Sequence, residues 1–262
     1  MVPLRSQSGF SLVELSIVLV ILGLLTGGIL GGQSLIRAAE LRSVSVDYSR
    51  YATATQTFRD KYFSLPGDFR DATRFWGYQG GSGCVSNAGI TATTTNGTCD
   101  GDGSGIIFDG LAGNQTSEGF QFWRHLSLGG LIEGNYSGLA GTIGTVDHNF
   151  GVNSPRARIS NAGWGSTYLD NSSGTTPGVL RYNYRNSLTL GGDDGAWADT
   201  QVLRPEEMWN IDTKLDDGRP HVGKIHAYPF GSGCSTATNN NDTAAEYGLS
   251  TNGINCTAIF RE

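Results

Sequence analysis

Glu14 is the only ionisable side chain in residues 10–30, a run of 21 residues near the N-terminus. A lone carboxylate in hydrocarbon is costly and is kept where it has a task. The partner that would satisfy it is a positive charge. Cleavage after Gly9 would create one, an amino group on Phe10, four residues before Glu14. Within one helix that pairing is strained by the free end. Between staggered neighbouring helices it satisfies both charges and sets their stagger. The plainer alternative is a protonated Glu14 that snorkels to the interface.

A second set of oxygen ligands lies in Asp100-Gly101-Asp102-Gly103-Ser104-Gly105-Ile106. Oxygen side chains at positions 1, 3 and 5, Gly at 6 and a carbonyl at 7 follow the first half of a calcium loop. Asp100, Asp102, Ser104 and Ile106 are therefore candidate ligands for a structural Ca2+. The twelfth position is Leu111 rather than Glu, which excludes an EF-hand. Asp109 or Glu118 would complete a partial site. The competing reading is a flexible Asp-Gly turn, and nothing else in the chain calls for a cofactor.

The four cysteines are Cys84, Cys99, Cys234 and Cys256, with no CxxC pair among them. A zinc ribbon or thioredoxin-type site is thus disfavoured. Of the three connectivities, the local pairings Cys84–Cys99 and Cys234–Cys256 are expected, because each closes a short polar loop in a chain exported to an oxidising compartment. Catalytic sets are missing from the sequence. His221 and His226 are five apart without an HExxH, and there is no GxSxG, Walker or Rossmann fingerprint. Asp193-Asp194 and Asp216-Asp217 each precede Gly and read as turns. His125 reads as a surface or packing residue. An enzyme is not expected.

These residues need elements to hold them. About 20 apolar residues in a helix cover the bilayer hydrocarbon, so residues 10–30 form a transmembrane segment. Arg5 and the amino terminus favour a cytoplasmic start. The apolar run follows the small residue Gly9, so cleavage there would leave the helix on the mature chain, unlike a secretory signal. Beyond the membrane, Leu41, Val44, Tyr48, Tyr51, Thr55, Phe58 and Tyr62 recur at spacings of 3 and 4. That is an apolar seam on one helical face. Leu65-Pro66-Gly67-Asp68 stops the helix.

The N-terminus resembles that of type IV prepilins and type II secretion pseudopilins. Gly9, Phe10 and Glu14 match the three functional positions of that family, and Phe10-Ser11-Leu12-Val13-Glu14-Leu15 is close to its consensus. The resemblance implies cleavage after Gly9 by a prepilin peptidase, which also methylates Phe10, and a register role for Glu14 and Phe10 between subunits. It implies partners of three kinds: that peptidase/N-methyltransferase, the inner-membrane assembly machinery, and other copies or other pilins in a helical filament. It implies a single pass of the inner membrane before assembly and a periplasmic or extracellular filament afterwards. One departure concerns Gly31, where pilins often carry a helix-weakening Pro. This chain has no Pro between Pro3 and Pro66, and has Gly27-Gly28 and Gly31-Gly32 instead. Each Gly costs about 1 kcal/mol relative to Ala in a helix. The four could let this part extend on assembly, or could serve close helix packing.

The rest of the chain reads as an α+β head. Charged residues are 16% and Gly numbers 39, which favours strands, turns and long polar loops. Net charge is −6 without a Lys/Arg cluster, which argues against nucleic-acid partners. Short helices are expected at 117–132 and 204–215, strands at 156–160, 179–184 and 222–228, and an edge strand at 257–260. The stretch 211–228 also resembles the C-terminal part of large pilin-like proteins. The expected organisation is a leader at 1–9, a long helix at 10–65 with a transmembrane half (10–30) and an amphipathic half, and a head at 66–262. The amphipathic half packs on the antiparallel sheet of the head. Cleavage after Gly9 would leave 253 residues. That is long for a typical major pilin and raises the reading of a minor tip subunit; the resemblance also leaves a type II secretion pseudopilin as the rival.

Overall fold

The computed structural model describes residues 11–79, 97–108, 118–141, 147–176, 178–195 and 197–261. It forms two compact units, Met1–Glu40 and Leu41–Glu262. Helix α1 (Leu12–Tyr62) contributes to both. In the first unit the helix is unbroken across Gly27, Gly28, Gly31 and Gly32, and a Cβ at any of them would meet open space. The large apolar side chains described from Leu12 to Ile29 are all at least half exposed, from 51% at Val18 to 85% at Leu12.

In the second unit the expected seam is the buried face. Val44, Tyr51, Thr55 and Phe58 are each no more than 3% exposed. Tyr51 meets Trp123 and Trp164 edge-on at 5.0 and 5.4 Å between ring centroids. Tyr48 stacks on Phe260 at 4.6 Å. Such ring pairs add to the burial of their area. The helix ends at Tyr62, three residues before the expected limit at 65: the Phe63 N–H donates to the Arg59 carbonyl, Phe63 turns to φ 54°, and Pro66 follows.

Three further helices are α2 (Ala72–Trp76), α3 (Glu118–Leu128) and α4 (Pro205–Leu215), and the strands are β1 (Ala162–Asp170), β2 (Asn183–Gly192), β3 (Ile225–Tyr228) and β4 (Thr257–Arg261). α3 and α4 match the expected helices. α4 starts on Pro205, and Glu207 reaches back to accept the Arg204 N–H at 2.9 Å. Ser117, the expected cap of α3, lies outside the described residues.

The strands form one antiparallel sheet in the order β1-β2-β4-β3. β4 is therefore interior and not an edge. Its partners are Leu188↔Phe260 on one side and Ile225↔Phe260 on the other. Four of its five residues are buried, as a strand covered on both faces requires. The expected strand at 156–160 is a tight turn. Ala157 N–H bonds the Ala162 carbonyl and Asn161 sits at φ 56°, so the chain reverses and the strand begins at Ala162. Residues 179–182 are also a loop, because the Asn171 amide takes the Val179 and Leu180 carbonyls that a ladder would need. β3 starts late, since the Asp216 carboxylate accepts the Lys224 and Ile225 N–H groups.

One face of the sheet packs Trp164, Leu188, Leu190, Ala258 and Phe260 into the main core with the α1 seam, Trp123, Leu126 and Met208. The other face carries a smaller cluster of Val179, Tyr184 and Ile259, with Leu169, Tyr182 and Tyr228 against it. Cys234 and Cys256 form the expected disulfide, Cα–Cα 5.1 Å, and Cys256 also bridges to Leu203. Cys99 is buried and is not a free thiol. Its expected partner Cys84 lies outside the described residues.

Two outcomes follow for chemical denaturation of the detergent-solubilised protein. Phe58 is fully buried and its ring neighbours are Tyr62, Phe69, Trp76 and His125. Phe58→Ala should cost about 3–5 kcal/mol. The Cys234–Cys256 loop spans 22 residues. Replacing both cysteines with Ser should cost about 3 kcal/mol by loop entropy.

Candidate functional site

Glu14 stands in the first turn of α1, and its Oε2 accepts the Ser11 N–H at 2.9 Å. Ser11 Oγ accepts the Val13 N–H at 3.3 Å. Together these side chains cap the first turn and satisfy N–H groups that it leaves without partners. The spacing Ser11 to Glu14 was the signal for this cap, overlooked in the sequence because the apolar run dominates. The carboxylate is thus held at the helix start, where the macrodipole favours a negative charge. Gly9 and Phe10 lie outside the described residues.

α1 is long and apolar enough to cross a membrane: an 18-residue window has mean hydropathy 2.4 and is not buried. Each large apolar side chain left in water forgoes about 1.5–3 kcal/mol of burial. Twelve such side chains between Leu12 and Ile29 are exposed. The segment needs a host, either lipid or other apolar helices.

The Asp-Gly loop is arranged differently from the ligand order read in the sequence. Asp100 turns to α2, where its Oδ1 accepts the Thr73 N–H at 2.6 Å and its Oδ2 the Thr73 hydroxyl at 2.9 Å. Asp102 instead meets Asp68 and Glu118, with one carboxylate oxygen of each within 4.8 Å of the others. Asp68 accepts the Ser104 and Gly105 N–H groups at 3.0 and 2.7 Å. Glu118 accepts those of Asp102 and Phe108 at 3.1 and 2.9 Å. Ser104 Oγ lies 3.3 Å from the Ile106 N–H, which donates to it. Gly101 permits the loop to close on Asp68, since a Cβ there would overlap the Asp68 backbone. The sequence offers Glu118 as a completing ligand but not Asp68, which sits 34 residues before Asp102 in a motif that reads as a helix stop.

Burial raises the Glu118 carboxyl to about 7, and the neighbouring Asp68 and Asp102 charges add to the rise. Asp68 is also raised, chiefly by burial, whereas Asp102 is lowered by its hydrogen bond to Ser104.

The histidines are packing groups. His125 accepts the Gly67 N–H on Nδ1 at 2.8 Å, and Nε2 faces the Cys99 carbonyl at 3.1 Å. Those partners assign a neutral ring with the proton on Nε2, and burial lowers its pKa to about 3. It is fully buried, which decides between the surface and packing readings. His221 pairs with Ser235 at 2.7 Å, and His226 lies between the Tyr182 and Tyr184 rings. Burial lowers both to about 4.

The raised Glu118 pKa has a sign that can be measured. Its contribution to stability is full below about pH 4.5 and is lost as pH rises through about 7. The buried histidines act in the opposite sense, below their unfolded pKa. Comparison with Glu118→Gln isolates the carboxyl: the stability of wild type relative to the variant should fall between pH 4.5 and 8, by roughly 2 kcal/mol. A constant difference across that range would contradict it.

Residues 4–30 match the family model described as the prokaryotic N-terminal methylation motif. Comparison with curated proteins and with solved structures gives no match. The matched segment contains Gly9, Phe10, the capping carboxylate Glu14 and the exposed apolar face of α1. Over residues 4–30 the chain thus carries the prepilin-type N-terminus, in which it is similar to the type IV pilins and pseudopilins.

Proposed function

We propose that the chain is a structural subunit of a type IV pilus-like extracellular filament. A prepilin peptidase cuts after Gly9 and methylates Phe10, and residues 1–9 are the leader. The chain then waits in the inner membrane with its N-terminus cytoplasmic, its helix at 10–65 and its head beyond. Assembly transfers the helix from lipid into a bundle of like helices, while the heads tile outside. The observation that carries this reading is one segment holding both the methylation motif and an exposed apolar helix with a single carboxylate. The apolar face supplies cohesion, because it is compatible with lipid and with neighbouring helices. Glu14, paired with the amino group of Phe10 on a neighbouring subunit, sets the register. The motif's family is structural, and the proposed role requires no catalysis.

A second reading is a type II secretion pseudopilin, and a third is a minor tip subunit. Retention of Glu14 favours a repeating subunit. A structural Ca2+ is a separate proposal, now on Asp68, Asp102 and Glu118 instead of the series from Asp100 to Ile106. Millimolar calcium should then raise the melting temperature of wild type but not of Asp102→Ala; equal melting with calcium and with chelator would remove the ion.

Glu14→Ala should abolish filaments, or reduce them at least tenfold, while cleavage after Gly9 proceeds. Electron microscopy of sheared filaments and N-terminal mass spectrometry read the two effects separately. Normal filament numbers from the variant would overturn the register role. If the chain is scarce in sheared filaments and its loss blocks protein export, the pseudopilin reading replaces the pilus.

A further inference from the structure

The outer face of the sheet carries a cavity of about 260 Å³ that the filament role does not use. Its walls include Tyr168, Val179, Trp197, Tyr228 and Ile259. Among the described residues its one carboxylate is Asp199, and no Lys or Arg lines it. The volume lies just below that of drug-sized ligand pockets, about 300–1,000 Å³, so a single small group fits it.

Both walls are built by close backbone approach. On one side Ala198 is buried against β1 and β2, where a Cβ at Gly191 would overlap the Ala198 carbonyl and one at Gly165 would crowd its methyl. Thr257 Oγ1 donates to the Asp199 carbonyl at 3.0 Å and fixes that residue over β4. On the other side Gly178, at φ 74°, packs against Tyr228 and Pro229, and its carbonyl accepts the Phe230 N–H at 2.9 Å. Trp197 is 38% exposed at the rim.

Asp199 is a half-buried carboxylate without a cation. Among the described residues it makes no ion pair and accepts no side-chain hydrogen bond, and its one local donor is its own N–H. Asp194 nearby adds charge of the same sign. A partly desolvated carboxylate facing aromatic rings has two unused attractions, ion pairing and cation–π contact, and both are for a positive charge. The aliphatic wall would take an alkyl chain.

We propose that this cavity binds an organic ammonium group, with the alkyl part against Val179 and Ile259 and the charge between Asp199 and the Trp197 and Tyr228 rings. The ammonium belongs either to a small alkylamine or to a lysine side chain of another protein. The proposal stands independently of the filament reading.

The groups facing Asp199 that titrate are Asp194 on its own loop, Tyr228 on β3 and Tyr168 on β1; β2 and β4 present Thr189, Thr257 and Ile259. Burial raises Asp199 to about 6, so binding should weaken as pH falls below that value.

The test is calorimetric titration of the full chain in non-ionic detergent with n-butylammonium, n-butanol and Nα-acetyl-lysine methylamide. Butylammonium should saturate, and butanol, of similar size but neutral, should bind about tenfold more weakly or not at all. Asp199→Asn and the rim variant Trp197→Ala should each weaken the amine about tenfold, with melting temperatures near that of wild type. Equal affinity for the lysine derivative assigns the site to a partner's lysine, and preference for the free amine assigns it to a small molecule. The absence of saturable binding by either amine, or equal binding of butanol, overturns the proposal without relying on any variant.

Discussion

The head depends on burying one face of α1. Tyr51 and Phe58 are the centre of that contact: the first touches Trp123 of α3 and Trp164 of β1, and the second sits among Phe69, Trp76 and His125. Strand β4 meets the same face through Tyr48 and Phe260. Helices α1, α2 and α3, the sheet and the segment that carries Phe69 thus share one aromatic core. Helices α3 and α4 complete the cover of the inner face through Trp123, Leu126 and Met208.

The same helix is treated oppositely in its earlier residues. From Leu12 to Ile29 its apolar side chains are exposed on every face, with Glu14 folded back as a cap at the start. Satisfying the backbone locally and leaving the side chains apolar suits lipid, where each unpaired polar group is costly. It equally suits packing against other helices.

The polar loops follow a different logic. Asp68, Asp102 and Glu118 converge because backbone N–H groups need acceptors where the chain crosses itself without a ladder. Glycines let these crossings close: Gly101 on the Asp68 backbone, Gly191 under the loop that carries Asp199. A high glycine content, which in composition signals only turns and loops, here marks positions where two backbones touch.

The apolar N-terminal helix, the seam from Leu41 to Tyr62, helices α3 and α4, and the methylation motif were all legible in the sequence, because each is written in local periodicity or in adjacent residues. The Cys234–Cys256 pairing was legible as a short closed loop. Strand limits were less so. Alternation at 156–160 and 179–184 looked like strand, but the Ala157–Ala162 turn and the Asn171 amide claimed those carbonyls first. The placement of β4 between β2 and β3, the exchange of Asp100 for Asp68 beside Asp102, and the chamber around Asp199 were decided only by the tertiary structure. Each joins residues tens of positions apart, and no local pattern encodes which distant backbone will arrive to be paired, capped or covered.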